Sequence, residues 1–98
     1  MKLVVVQVDD PLLDEVIALG DANRKTLGFL PWGGFVQAAR RGNVLAVIDE
    51  DRVLVGYCLF DLPGNYVRIT HLCIKSHFRG RGVARMLVRA VSERHQTR

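Results

Sequence analysis

A glycine-rich segment at residues 79–84, Arg-Gly-Arg-Gly-Val-Ala, constrains the fold of this 98-residue chain more than any other feature. It follows a strand-like apolar run at residues 66–74 and opens an amphipathic helix. Glycines at a strand-to-helix turn leave backbone N–H groups bare, and the first helical turn adds unpaired donors and the positive end of its dipole. With Arg79 and Arg81 alongside, the segment predicts a binding site for an anion such as phosphate.

Charge is distributed unevenly along the chain. Residues 1–67 carry six Lys or Arg against nine Asp or Glu, whereas residues 68–98 carry eight against one. This split indicates that the C-terminal third faces an anion. No apolar run approaches the roughly 20 residues of a membrane span. The two cysteines and three histidines show no metal-ligand spacing, so we expect no metal site. We also expect a cytoplasmic protein with free thiols and no membrane contact.

Hydrophobic periodicity predicts a single α/β (α+β) domain with a largely antiparallel sheet and flanking helices. Asp10 and Pro11 are typical of a helix start, and Gly20 predicts the end of that helix. The predicted order is β-α-α-β-β-β-α. It consists of a strand at 3–8, a helix at 12–20, a helical region at 22–40 that breaks at 28–34, strands at 44–48 and 53–60 joined by a hairpin turn at 49–52, a strand at 66–74 and a helix at 82–93. The last helix repeats apolar residues at helical spacing: Val83, Met86, Leu87, Ala90 and Val91.

Two well-known phosphate motifs do not fit the glycine-rich segment. A Walker A loop requires a Gly-Lys pair, and the chain contains none. A Rossmann fingerprint requires a third glycine where Arg85 stands, and no acidic residue follows about 20 positions later at the end of a second strand.

The pattern Arg79-x-x-Gly82-x-Ala84 resembles the R/Q-x-x-G-x-G/A signature in motif A of the GNAT N-acetyltransferase superfamily. The element order matches the N-terminal order of that family, so the resemblance covers nearly the whole chain. It implies that acetyl-CoA is the acyl donor and that an amine is the acceptor. The implied cofactor-binding residues are a strand segment for the pantetheine arm and a loop for the pyrophosphate: Leu72, Cys73, Ile74, Arg79, Gly80, Arg81, Gly82, Val83 and Ala84. Backbone N–H groups of the strand would also polarise the thioester carbonyl.

Members of the family usually continue past this helix with further strands and another helix, which often carry a tyrosine that protonates the departing thiolate. The resemblance therefore implies that residues 1–98 form one acetyl-CoA-binding domain that lacks those C-terminal elements and is apparently truncated after the motif A helix. The strand at 66–74 would then have an open edge, which proteins rarely leave bare. We expect a homodimer or a partner chain to cover it.

The catalytic residues are left open. His71 is a candidate general base because its ordinary pKa lies near neutrality, and the alternative is a histidine packed in the sheet. Cys73 is the weaker candidate for a nucleophile, since no activating partner is visible. The resemblance implies that residues 23–32 correspond to a variable region that often lines the acceptor side. Phe29, Leu30 and Trp32 then form either one wall of an acceptor pocket or part of the core.

Two other functions compete with acetyl transfer. The first is a non-catalytic module that binds CoA as a sensor or interaction domain. The second is nucleic-acid binding by the basic C-terminal helix, through Arg81, Arg85 and Arg89, with Arg94 and Arg98 further on. The absence of interleaved aromatic residues makes this second alternative the less favoured one.

Overall fold

A computed structural model describes residues 1–96 of the chain. Arg98, which the nucleic-acid alternative included, lies outside the described residues. The elements in chain order are β1 (Lys2–Val5), α1 (Leu12–Ala22), α2 (Arg24–Leu27), α3 (Trp32–Arg40), β2 (Val44–Ile48), β3 (Leu54–Asp61), β4 (Arg68–Ile74) and α4 (Val83–Gln96). No helix within residues 1–96 is long and apolar enough to cross a membrane.

The four strands form one antiparallel sheet in the order β1-β2-β3-β4. β2 and β3 are central and almost wholly buried, which is why they read as continuous apolar runs rather than alternating ones. One face of the sheet packs against α1 and α3, and the other packs against α4. This arrangement confirms the predicted mixed α/β fold with flanking helices.

Local chemistry sets the start of α1 and the hairpin between β2 and β3. The Asp10 carboxylate accepts a hydrogen bond from the Leu12 N–H at 2.9 Å, and Pro11 already has helical dihedral angles. In the hairpin, the Asp49 carboxylate accepts bonds from the N–H groups of Asp51 and Val53, both at 2.9 Å. Aspartate supports such turns because its side chain bonds to nearby backbone donors.

The prediction that Gly20 ends the first helix is wrong, because α1 continues to Ala22. A Cβ atom at Gly20 would lie 2.7 Å from the Tyr57 hydroxyl oxygen and 2.9 Å from Cζ of Phe35. Glycine is required here for close packing of α1 on the sheet rather than for a left-handed cap.

The broken helical region consists of two helices, α2 and α3, separated by residues 28–31. Gly28 ends α2 with a φ of 86°, which favours glycine. α3 begins at Trp32 and includes Gly33 and Gly34, which the sequence placed in the break. The predicted bounds of the edge strands were too wide: β1 ends at Val5, and β4 begins only at Arg68.

Candidate functional site

β4 lies at one edge of the sheet, where the described residues place no strand beyond it. The Lys75 N–H donates to the Val55 carbonyl oxygen at 2.9 Å, so backbone groups at this end of β4 alternate between the β3 side and the open side. The alternation turns the N–H and C=O groups of Leu72 and Ile74 toward the open edge. The Ile74 carbonyl accepts a hydrogen bond there from Nε of Arg79, at 3.1 Å.

A bulge interrupts the ladder near the start of β4. Leu59 lies opposite His71 and Phe60 lies opposite Ile69, which leaves Thr70 without a direct partner. The Thr70 hydroxyl donates instead to the Leu59 carbonyl oxygen at 3.3 Å. The bulge separates an exposed first part of β4 from the partly buried segment that ends at Ile74.

The glycine-rich loop connects β4 to α4 after a short 3₁₀ turn at Ser76–Phe78. Gly80 and Gly82 have φ angles of 79° and 82°, and a Cβ atom at either position would meet nothing within 4 Å. The first helical hydrogen bond of α4 runs from the Met86 N–H to the Gly82 carbonyl oxygen. The N–H groups of Val83, Ala84 and Arg85 therefore have no acceptor within the helix. This loop therefore presents free donors, an open surface and the positive end of α4.

Arginine side chains surround these donors. Arg79 is held beside the strand end by its bond to Ile74, and the guanidinium carbon of Arg81 lies 5.5 Å from the ring centroid of Phe78. A cation at that distance is attracted by the face of the aromatic ring. The aromatic residue just before Arg79 thus orients a charge at the loop.

A groove of about 350 Å³ joins the strand to the loop. Its lining comes from α2 and its start, the edge of β4, and the glycine-rich segment: Asn23, Thr26, Leu27, Leu72, Cys73, Ile74, Arg79 and Ala84. The structure therefore brings five of the nine predicted cofactor-binding residues to one cavity. Gly80, Arg81 and Gly82 lie in the adjoining loop, whereas the side chain of Val83 is buried against the sheet.

Sequence reasoning missed the contribution of α2 to this groove. Asn23, Thr26 and Leu27 carry no motif, and the sequence assigned this region to the acceptor side. The one available signal was the break after Leu27, since a short helix that stops at a positive-φ glycine leaves room beside the neighbouring strand.

His71 lies inside the core, as the packing alternative predicted, with only 7% of its surface exposed. Its Nδ1 is 3.2 Å from the Tyr57 hydroxyl, and its ring packs edge-to-face on Phe35 with a centroid separation of 5.8 Å. Burial lowers the pKa of His71 because the charged imidazolium loses hydration. The imidazole is therefore neutral at physiological pH.

Neither cysteine has the environment of a nucleophile. Both thiols are free and buried. Burial raises the pKa of Cys73, although Arg79 acts in the opposite direction, and burial raises the pKa of Cys58 to about 12. Thiols with raised pKa values remain protonated and unreactive at neutral pH.

The aromatic segment at residues 29–32, which ends on the first residue of α3, is divided between surface and core. Phe29 and Trp32 are exposed by 66% and 67%, whereas Leu30 packs against the core. Core packing therefore accounts for Leu30 alone, and two large apolar side chains stand in solvent. Within residues 1–96 no group of acidic, cysteine or histidine side chains has the arrangement of a metal site.

The chain belongs to the acetyltransferase (GNAT) family, because the family model matches residues 12–98. No curated protein matches the sequence significantly.

Three crystal structures illustrate the shared fold. The Rv2747 protein of Mycobacterium tuberculosis, solved in complex with CoA, has a TM-score of 0.80 at 14% identity, covering 99% of this chain and 58% of its own. The ribosomal-protein-alanine N-acetyltransferase of Brucella melitensis has a TM-score of 0.72 at 19% identity, covering 100% of this chain and 74% of its own. A GCN5-related N-acetyltransferase of Kribbella flavida has a TM-score of 0.69 at 22% identity, covering 98% and 27%. This chain thus spans between about a quarter and three quarters of these proteins.

Proposed function

We propose that this chain binds acetyl-CoA and transfers its acetyl group to an amine. Family membership supports the class of reaction. The observation that carries the proposal is the groove that connects the free edge of β4 to the glycine-rich loop, since a ligand with an extended polar arm and a pyrophosphate needs both. Residues 1–98 then act as one acetyl-CoA-binding domain, and we place its activity in the cytoplasm.

The loop holds the pyrophosphate in this proposal. The N–H groups at the start of α4 point at the anion, and Gly80 and Gly82 allow the backbone to approach it because no side chain stands in the way. Arg79 and Arg81 add positive charge beside the loop. Charge-assisted hydrogen bonds of this kind are about twice as strong as neutral ones.

The edge of β4 holds the pantetheine arm. Leu72 and Ile74 direct their backbone groups outward, so the amides of the arm add to the sheet as an extra strand would. Cys73 directs its backbone toward β3 and contributes its side chain to the groove wall. An outward N–H near the thioester donates to the carbonyl oxygen and stabilises the negative charge that develops during attack.

In the transfer step, the amine nitrogen attacks the thioester carbonyl carbon, a C–N bond forms, and the C–S bond breaks. The amine loses one proton and the CoA thiolate gains one. Protonated thiols at Cys58 and Cys73 support direct transfer without an acyl-cysteine intermediate. His71 is a poor base for this step because its Nδ1 already faces the Tyr57 hydroxyl inside the core.

The test is a titration with acetyl-CoA followed by an assay of thiol release with a panel of amines. Binding by calorimetry together with release of CoA that depends on the amine supports the proposal. Binding without release with any amine favours the CoA sensor. Failure to bind acetyl-CoA contradicts both, and a retardation of duplex DNA that weakens with salt would then favour the basic-helix alternative.

A further inference from the structure

A second cavity of about 360 Å³ lies beside the bulge in β4, between α3 and the ends of β2 and β3. Gln37, Arg41 and Asn43 line it with polar groups, and Leu30, Ala38 and Leu59 line it with apolar side chains. It is separate from the groove that holds Arg79, because the two share no lining residue.

The cavity lies where an acceptor must be. A pantetheine arm reaches about 15 Å from pyrophosphate to sulfur, the length of about four to five strand residues at roughly 3.3 Å each. An arm that starts beside Ile74 and follows β4 backward therefore ends near Thr70, which also lines the cavity. The inference that follows rests on the proposed function for this reason.

The charged side chain of the cavity lining that has no ion-pair partner among residues 1–96 is a cation, Arg41. Asp61, the acidic residue in its lining, is bound by both Nε and Nη2 of Arg68, at 3.1 and 2.7 Å. Arg41 has no ion pair among residues 1–96, and the side chains of Gln37 and Asn43 have no hydrogen bond there. One cationic and two amide side chains are thus free to bind a ligand oxygen atom.

The chain around the cavity has the same sign. Residues 32–43, which include α3 and the turn before β2, contain Arg40 and Arg41 and no acidic residue. A polycationic acceptor would be repelled by this wall, whereas an acceptor with a carboxylate would be attracted to it.

We infer that the acceptor is a small amine that carries a carboxylate, namely an α-amino acid with an apolar side chain. Arg41 binds the carboxylate, with Gln37 and Asn43 as further donors, and Leu30 and Ala38 contact the apolar part. The α-amine then faces the thioester at Thr70. Guanidinium suits this role because its planar fork matches a carboxylate in two-point hydrogen bonding.

The test compares L-leucine with L-leucinamide, which has the same shape and lacks the carboxylate charge. Both are titrated by calorimetry into the full chain saturated with CoA, since CoA without an acetyl group prevents turnover. Equilibrium binding is the readout because amidation also changes the basicity of the amine and would affect a rate. We expect leucine to bind about 10- to 100-fold more tightly, the range for hydrogen bonds to a charged group.

Arg41→Gln should abolish the preference, and leucine and leucinamide should then bind alike. Arg40→Gln is the matched control, because it removes the same charge from the neighbouring position, which does not line the cavity. It should change the leucine dissociation constant by less than about threefold. If leucinamide or putrescine binds the parent chain as tightly as leucine, or if the two variants weaken binding equally, the inference is wrong. CoA is titrated first, and its failure to bind would refute the proposed function instead.

Discussion

Replacing Gly82 with valine separates the role of the loop backbone in binding from its role in folding. Gly82 has a φ of 82°, a conformation that costs a residue with a side chain about 1–2 kcal/mol. Since a Cβ atom at this position would meet nothing within 4 Å, a side chain introduced here begins in open space. That open space is where we place the pyrophosphate, so the side chain would occupy the position of the ligand.

The stability effect and the binding effect have different magnitudes. A loss of about 1–2 kcal/mol lowers the melting temperature of a chain of this size by about 5–15 °C. Acetyl-CoA at 100 times its dissociation constant raises the stability of the parent chain by roughly 2.7 kcal/mol, a shift on the order of 10 °C. Gly82→Val should therefore lower the melting temperature of the free chain, and acetyl-CoA should no longer raise the melting temperature of this variant.

Gly42→Val is the matched control in a thermal-shift assay with and without acetyl-CoA. Gly42 has a φ of 74°, also has open space around it, and lies at the end of α3 away from the groove. It should melt earlier for the same conformational reason and still respond fully to acetyl-CoA. A Gly82→Val chain that responds as the parent does would refute the assignment of the pyrophosphate to this loop.

Three further predictions concern the core and the open edge. His71→Ala should lower the rate of acetyl transfer by less than about 10-fold, measured below the melting temperature, and a loss of more than about 100-fold would make His71 the base. Because burial lowers the pKa of His71, the free energy of unfolding should decline as pH falls below the ordinary pKa of about 6.5. Urea unfolding should show a smaller decline in His71→Gln than in the parent chain. An equal decline in both would mean that His71 is not its cause. Sedimentation velocity should detect a dimer that pairs through the exposed start of β4, before the Leu72–Ile74 segment assigned to the pantetheine arm, and Ile69→Lys should disrupt that dimer. A monodisperse monomer at high concentration would count against pairing there.

The sequence predicted the parts of the fold that depend on short-range patterns. The cap at Asp10, the hairpin turn at Asp49 and the apolar stripe of α4 are each determined by residues within a few positions of one another, and the structure confirms all three. The glycine-rich loop was predictable for the same reason, because its two glycines lie between an apolar strand and an amphipathic helix in the sequence. Both glycines have positive φ angles in the structure.

What the sequence could not predict depends on contacts between distant segments. Gly20 resembles a helix end, yet its neighbours in space are Tyr57 and Phe35, which are 37 and 15 positions away. The role of Thr26 in the groove likewise follows only from the packing of α2 beside β4. A local sequence pattern reflects interactions within one segment. It does not show that a residue is required for a contact with a distant segment.

His71 illustrates why position on a functional strand does not assign a function. It lies one residue before Leu72, whose backbone faces the open edge, and the alternation of the strand turns its own backbone toward β3 and its side chain onto the face packed by Phe35. The same alternation that supplies an edge for the pantetheine arm therefore places the nearest titratable side chain inside the core, where its pKa is lowered. In the proposed reaction, the proton acceptor for the amine is then solvent or a group outside β4, and this is why we expect the rate to depend weakly on His71.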